Sequence, residues 1–290
     1  MAGDTTYESN ESFTFILQSS QASVLTPTTS ITLLNDDRHV YLASGFLLAS
    51  PGDDIIHGST SSDTIYAGGG HDTIDTIGKG SDFVDGGTGV DTLTVDLSDV
   101  TSSLYTSFYA EDGSTIAFLT QSASFVQVHD ALLNAVSFRI TNGTDIRYQN
   151  VERVNVTAGS GHDLVINQGG SFYHGGAGSD TFYADWSGWT EAVVWENDPS
   201  QAVTINGVTI SGMERLLIAT GSGDDVITNV AATNDYFELG AGNDSFVGGS
   251  GTDTVYAGAG DDVIDVGRGT AWIDGGTGVD TLTVDLSDVT

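Results

Sequence analysis

The sequence predicts an all-β protein, with blocks of parallel β-solenoid separated by short β-hairpin segments. Three observations point there. A nine-residue beat of glycines, one aspartate and one large apolar residue runs through three stretches of the chain. Asn-Gly and Asp-Gly dipeptides flanked by apolar and polar alternation occupy the intervals. The composition is strongly acidic, with 40 Asp and Glu against 7 Lys and Arg in 290 residues and a net charge of -33. Yet it keeps the regular Val, Ile, Leu, Tyr and Phe that disordered acidic chains lack.

The beat is clearest over residues 239–265, which divide into "LGAGNDSFV", "GGSGTDTVY" and "AGAGDDVID". Each unit has Gly second and fourth, Asp sixth and an apolar residue eighth. The Asp positions are Asp244, Asp253 and Asp262, and the apolar ones Phe246, Val255 and Ile264. The pattern extends forward to Asp280 and Leu282, and backward to Asp225 and, in the poorer unit "VAATNDYFE", Asp235. The same beat from residue 49 to 94 places Asp54, Asp63, Asp72, Asp82 and Asp91 before Ile56, Ile65, Ile74, Val84 and Leu93, with one extra residue near Thr76. A third, shorter block supplies Asp163 and Asp180 in "AGSGHDLVI" and "GGAGSDTFY".

Glycines admit positive φ and close backbone approach, so the first six residues of a unit form a tight turn. The last three form a short strand with one side chain inward. Two units complete a coil, so residues 18 apart stack on one side and their carboxylates face each other. A stack of carboxylates is self-repelling. An all-oxygen cage of carboxylates and turn carbonyls suits a hard cation, calcium better than magnesium. Asp and Gly also favour turns without any metal, but one carboxylate at one phase of almost every unit exceeds what turn-making requires.

The pattern Gly-Gly-x-Gly-x-Asp-x-apolar-x, met at every position by "GGTGVDTLT", "GGSGTDTVY" and "GGAGSDTFY", resembles the RTX family of hemolysin-type calcium-binding nonapeptide repeats. The likeness covers roughly residues 49–94, 158–183 and 220–283. It implies a calcium-bound parallel β-roll, folding on calcium binding, and export by a type I system. Carried over residue by residue, it pairs Asp54 with Asp72, Asp72 with Asp91, Asp163 with Asp180, Asp244 with Asp262, and Asp262 with Asp280 as metal ligands. Asp63 with Asp82, Asp225 with Asp244, and Asp235 with Asp253 complete the set. Asp63 lacks its fourth-place glycine (Ser61), and Asp253 meets Ala271 where a partner is due. Several ions, about eight, are expected, with affinities of about 10⁻⁴–10⁻³ M as in extracellular calcium modules.

The intervals read as β. "LYTSFYAEDGSTIAFL" turns at Asp112-Gly113, "SFRITNGTDIRY" at Asn142-Gly143, and "AVTINGVTI" at Asn206-Gly207. A short helix is expected over "VHDALLNAV" (128–136). "NVERVNVTAGSGHDLVI" aligns with "GMERLLIATGSGDDVI", so an apolar strand enters each roll. Arg153 and Arg215 are expected to bond the solenoid's end and cap its open edge. The resulting division is 1–48 lead-in strands, 49–101 first roll, 102–157 inter-roll β segment, 158–184 short second roll, 185–219 inter-roll hairpin segment, and 220–290 third roll.

"DGGTGVDTLTVDLSDVT" occurs at Asp85–Thr101 and again at Asp274–Thr290, an offset of 189 residues. The third roll thus repeats the first, and the chain is expected to be a piece of a longer tandem-repeat secreted protein. "MAGDTTYESNESFTF" has neither the basic nor the apolar region of a secretory signal, and no C-terminal type I signal is evident.

Cysteine is absent, which removes disulfides, thiolate metal sites and a cysteine nucleophile. The acidity excludes nucleic acid and anionic membrane as partners, since both demand basic patches. No apolar run reaches the ~18 residues needed to span a bilayer. There is no His-Glu-x-x-His, no Gly-x-Ser-x-Gly and no P-loop, so the protein is expected not to be an enzyme. His71 and His162 fall at the variable fifth place and read as exposed turn residues. Trp186, Trp189 and Trp195 read as packing of an inter-roll segment. The expected function is a calcium-binding structural module of a secreted or cell-surface protein, adhesin or surface-layer in type, folding on calcium after export. Its partners are then calcium and neighbouring copies of the parent. The alternative is a calcium-dependent polysaccharide-binding module attached to an extracellular carbohydrate-acting enzyme, with those tryptophans as a stacking surface.

Overall fold

The structure is a computed structural model. It describes residues 39–42, 45–76, 80–141 and 145–285, and the backbone alone of 31–33. The extra residue near Thr76, the Asn142-Gly143 turn and most of the lead-in segment lie outside these.

The nonapeptide beat folds as its period dictates. Each unit gives one short strand, and successive strands alternate between two facing parallel sheets. In the N-terminal half, Gly45–Leu48, Asp63–Tyr66 and Ser81–Asp85 lie side by side in one sheet, and Ile55–His57, Thr73–Thr76 and Thr92–Asp96 in the other. The pairing register sets the eighth-place residues against one another: Ile56 on Ile74, Ile74 on Leu93, Ile65 on Val84. All five are fully buried, each contributing about 1.5–3 kcal/mol relative to exposure. The C-terminal half repeats the arrangement in two all-parallel sheets, one from Leu164–Ile166 to Thr270–Asp274, the other from Val194–Asn197 to Thr281–Thr283. Phe246 stacks between Ile227 and Ile264 in one, and Val255 on Phe237 in the other.

The intervals do not merely separate rolls. After the first block the chain leaves the solenoid and returns to lay further rungs on it. Asp145–Gln149 pairs in parallel with Ser81–Asp85, and Arg153–Thr157 with Thr92–Asp96. Arg215–Ala219 is likewise inserted between Thr181–Asp185 and Tyr236–Glu238. One continuous core, from Val40 to Val266, runs through the rolls and these inserted rungs.

The excursion itself forms hairpins. Tyr105–Tyr109 pairs antiparallel with Thr115–Leu119 around the Asp112-Gly113 turn, and Ser137–Thr141 with Asp145–Gln149. Val203–Ile205 and Val208–Ser211 form the third, with Asn206 and Gly207 both at positive φ, as an Asn-Gly hairpin turn demands.

The helix α1 spans Phe125–Asn134 and so begins three residues before the expected start. The reason is a capping box: Ser124 Oγ accepts from Gln127 N, and Gln127 Oε1 accepts from Ser124 N. Its face of Phe125, Val128 and Ala131 covers the outer side of the Leu164–Ile166, Thr181–Asp185 and Arg215–Ala219 strands. Those strands are therefore buried on both faces, with Val165, Phe182, Leu216 and Ile218 in the roll core and Leu164, Ile166, Tyr183, Leu217 and Ala219 under the helix. Phe125 stacks on Tyr236 at 4.8 Å and lies 5.0 Å from Tyr183.

Arg215 ties this docking together. Its guanidinium donates to the Gln121 and Ala123 carbonyls just before α1 and to the Asn234 carbonyl in a roll turn. The expected capping of an open edge is not what Arg215 does; it joins the excursion to the middle of the roll. Arg153 is exposed.

Candidate metal centre

The sixth-place aspartates form ladders inside the turns. In each step the backbone N–H of one Asp donates to Oδ1 of the Asp on the next rung. The distances are 2.8 Å for Asp54 to Asp72, 2.9 Å for Asp72 to Asp91, 3.0 Å for Asp63 to Asp82 and 2.8 Å for Asp163 to Asp180. In the C-terminal half they are 2.8 Å for Asp225 to Asp244, 2.8 Å for Asp244 to Asp262, 3.1 Å for Asp262 to Asp280 and 3.1 Å for Asp235 to Asp253. All eight pairs expected from spacing are thus adjacent, including those whose units lack a glycine. Twelve of the thirteen aspartates are buried; Asp280, in the last described rung, is exposed. Asp253 pairs in register with Ala271, so its ladder ends there.

The second carboxylate oxygen separates the aspartates into two kinds. Oδ2 of Asp72, Asp91, Asp163, Asp180, Asp225, Asp244 and Asp262 is buried and has no hydrogen-bond donor. An unsatisfied buried carboxylate oxygen is costly. By contrast, Asp54 Oδ2 accepts from Ser50 N and Oγ, Asp63 Oδ2 from Ser59 N, and Asp235 Oδ2 from Asn229 Nδ2.

Burial and crowding are visible in the acidities. Burial, reinforced by Asp163 and Glu214, pushes Asp180 up to about 7. Burial, with Asp225 and Asp262 on either side, does the same to Asp244. Asp72, between Asp91 and Asp54, rises to about 6, as do Asp82 and Asp235. Asp91, Asp163, Asp225, Asp253 and Asp262 are also raised, each chiefly by burial.

Beside two of the orphaned oxygens, those of Asp91 and Asp180, the unit begins with glycine and the space is kept clear of a side chain. A Cβ on Gly86 would stand 2.7 Å from Asp91 Oδ2, and one on Gly175 2.9 Å from Asp180 Oδ2. Turn carbonyls converge on the same places, Asn150 O at 2.1 Å and Gly212 O at 1.9 Å from those positions. Among the described residues no three His, Asp or Glu side chains gather at one point. A cation here would be held by paired carboxylates and main-chain carbonyls, a donor set that fits calcium. The residues present fit such an ion.

Two features escaped the sequence reading. Glu152 Oε2 accepts from Asp91 N at 2.8 Å, and Glu214 Oε2 from Asp180 N at 2.7 Å, the position a ladder aspartate would take. The fifth place is also not free. It builds an outer ladder running the opposite way, in which His71 N donates to Asp53, Val90 N to His71 Nδ1, Asn243 N to Asp224 and Asp261 N to Asn243. His162 Nδ1 likewise accepts from Ser179 N. A bias of the fifth place towards His, Asn, Asp and Ser was the available signal. The indoles of Trp186 and Trp195 are buried against Phe182, and Trp189 stacks on Trp186 at 4.6 Å.

A parallel solenoid whose rungs are stitched by carboxylates with donor-less buried oxygens is a cation-binding β-roll. The RTX calcium-binding nonapeptide repeat model matches residues 48–76, 78–97, 166–187, 238–273 and 247–282. These segments, about two-fifths of the chain, are calcium-binding nonapeptide repeats of the RTX type. No curated protein matches it. Among solved structures it is similar to the extracellular lipase LipA from Serratia marcescens, at 13% identity and a TM-score of 0.24 over 90% of this chain and 41% of that one. The chain thus spans less than half of that lipase chain, and a likeness so slight carries no argument. Among the described residues no helix is long and apolar enough to cross a membrane.

Proposed function

We propose that the chain is a calcium-binding structural module of a secreted or cell-surface protein, of adhesin or surface-layer type, and that it folds when it meets calcium outside the cell. The observation that carries this reading is the set of seven buried Oδ2 atoms without a donor, all on ladder aspartates. Bound calcium supplies the positive charge that lets facing carboxylates stay ionised and buried. The chain's residues do the rest. Asp72, Asp91, Asp163, Asp180, Asp225, Asp244 and Asp262 present the free oxygens, while Asp54, Asp63, Asp82, Asp235, Asp253 and Asp280 complete the ladders. Gly86 and Gly175 clear the space beside Asp91 and Asp180. The tandem repetition of the roll over 189 residues suits a load-bearing or spacing element better than a catalyst.

In the absence of calcium the net charge of -33 and the crowded carboxylates oppose compaction. Titrating calcium into the chelated chain, followed by circular dichroism and calorimetry, should convert a largely unfolded state to a β-rich one near millimolar calcium, with magnesium failing to substitute. A chain equally folded in chelator would refute the reading.

A further inference from the structure

We propose that Glu152 and Glu214 are cation ligands, closing two mixed Asp–Glu sites, Asp91 with Glu152 and Asp180 with Glu214, at the points where the rungs pass from nonapeptide to inserted strand. This rests on the calcium reading above and extends it to residues outside every repeat.

The register makes each Glu a substitute for the next ladder Asp. In an ordinary step the residue after the upper Asp donates back to the lower one: Thr92 N to the Asp72 carbonyl at 2.8 Å, for example. At the two junctions Arg153 N donates to the Asp91 carbonyl at 3.0 Å and Arg215 N to the Asp180 carbonyl at 2.9 Å. Forward, Asp91 N and Asp180 N donate to the Glu carboxylates as other ladder N–H groups do to Oδ1. Both directions of the step are therefore preserved, with Glu in place of Asp.

The two sites share one set of parts. Each has a buried Oδ2 with no donor, on Asp91 or Asp180. Each has a carbonyl two residues before the Glu, Asn150 O or Gly212 O, aimed at the space cleared by Gly86 or Gly175. Each has a carboxylate on the residue just before an inserted strand, two residues after a positive-φ position, Asn150 or Gly212. A glutamine would accept the same backbone hydrogen bond without placing a second negative charge beside a buried aspartate. A like charge there costs energy unless a cation lies between. Both junctions, 62 residues apart at the Glu positions and related by the internal recurrence of the sequence, carry the same costly choice.

An ion at Asp91 and Glu152 would also fasten the far end of the hairpin-and-helix excursion to the roll, and one at Asp180 and Glu214 the far end of the second interval. Docking of the excursions then becomes calcium-dependent along with the rolls.

The test is calcium stoichiometry by isothermal titration of the full chain. Glu152→Gln and Glu214→Gln keep the hydrogen-bond acceptor and remove the charge. Each should bind one ion fewer than the wild-type chain, and the double variant two fewer. Asp72→Asn serves as the ladder control. Loss of ions in Asp72→Asn with a full count in both Gln variants would overturn the Glu sites while leaving the repeat sites standing. No calcium uptake by the wild-type chain would overturn both. Should the Gln variants not fold, anomalous scattering from wild-type crystals grown in calcium decides. A peak within about 2.3–2.6 Å of a Glu152 or Glu214 carboxylate oxygen supports the assignment, and its absence at both refutes it.

Discussion

Asp163 donates its backbone N–H to Asp180 Oδ1 at 2.8 Å, one rung away, and leaves Asp180 Oδ2 buried with no donor. One oxygen of each such carboxylate holds the rungs in register, and the other is reserved. Structural and ligand roles are divided within a single side chain, and the expectations below follow from that division.

Asp244 stands between Asp225 and Asp262 and keeps a donor-less Oδ2. Asp244→Asn should raise the calcium midpoint by on the order of tenfold, about 1.4 kcal/mol. The same change removes a charge from a crowded ladder, so more β signal should remain in chelator. Circular dichroism with and without calcium reads both. A variant that folds less well than wild type in both conditions would point to a purely architectural aspartate.

The raised carboxyls set a pH dependence for the calcium-free chain. Asp180 and Asp244 lie at about 7, and Asp72, Asp82 and Asp235 at about 6, each chiefly through burial. Between the unfolded value of about 4 and these values the folded form holds more protons than the unfolded one. Stability is therefore fullest below about pH 4 and is lost as pH rises through 6 to 7. Acidifying the chelated chain from pH 7.5 to pH 5 should restore β structure. Calcium affinity should fall over the same range, because protons compete for the same oxygens. A chelated chain that loses structure on acidification would contradict this.

Arg215→Ala removes three hydrogen bonds to main-chain carbonyls, on Gln121, Ala123 and Asn234. Leaving such acceptors unsatisfied should cost roughly 2–3 kcal/mol. Limited proteolysis should begin at the segment before α1, while the nonapeptide rolls stay intact. Uniform loss of protection along the chain would show that Arg215 supports the roll rather than the helix docking.

Glycines differ by what lies opposite. A Cβ on Gly260, at φ 144°, would stand 1.7 Å from the Gly242 carbonyl, whereas one on Gly113, at φ 79°, has nothing within 4 Å. Gly260→Ala should cost about 3 kcal/mol or more by forcing two rungs apart. Gly113→Ala should cost only about 1 kcal/mol, from backbone strain alone. Calcium-loaded thermal unfolding distinguishes them, and equal effects would mean that the rungs are not this close.

The ladder aspartates and stacked apolar residues were readable from the chain alone. In a solenoid each unit touches its neighbours at nearly constant separation, so a period in the sequence is a distance in space. Asp72 meets Asp54 because they are 18 residues apart, and Ile56 meets Ile74 for the same reason. The one-residue excess between Asp72 and Asp91 leaves that contact unchanged. The hairpins at Asp112-Gly113 and Asn206-Gly207 were equally local, each marked in the sequence by its turn dipeptide.

What tertiary structure alone decided lies where separation stops predicting distance. Glu152 reaches Asp91 across 61 residues and Glu214 reaches Asp180 across 34. Both spans depend on how an aperiodic excursion folds before it returns. The face of the roll that α1 covers belongs with these. Leu164, Tyr183 and Leu217 face away from the roll core, and only the returning helix turns that side of the sheet into an interior. Repetition wrote the rungs into the sequence; long-range packing settled how their ends are closed.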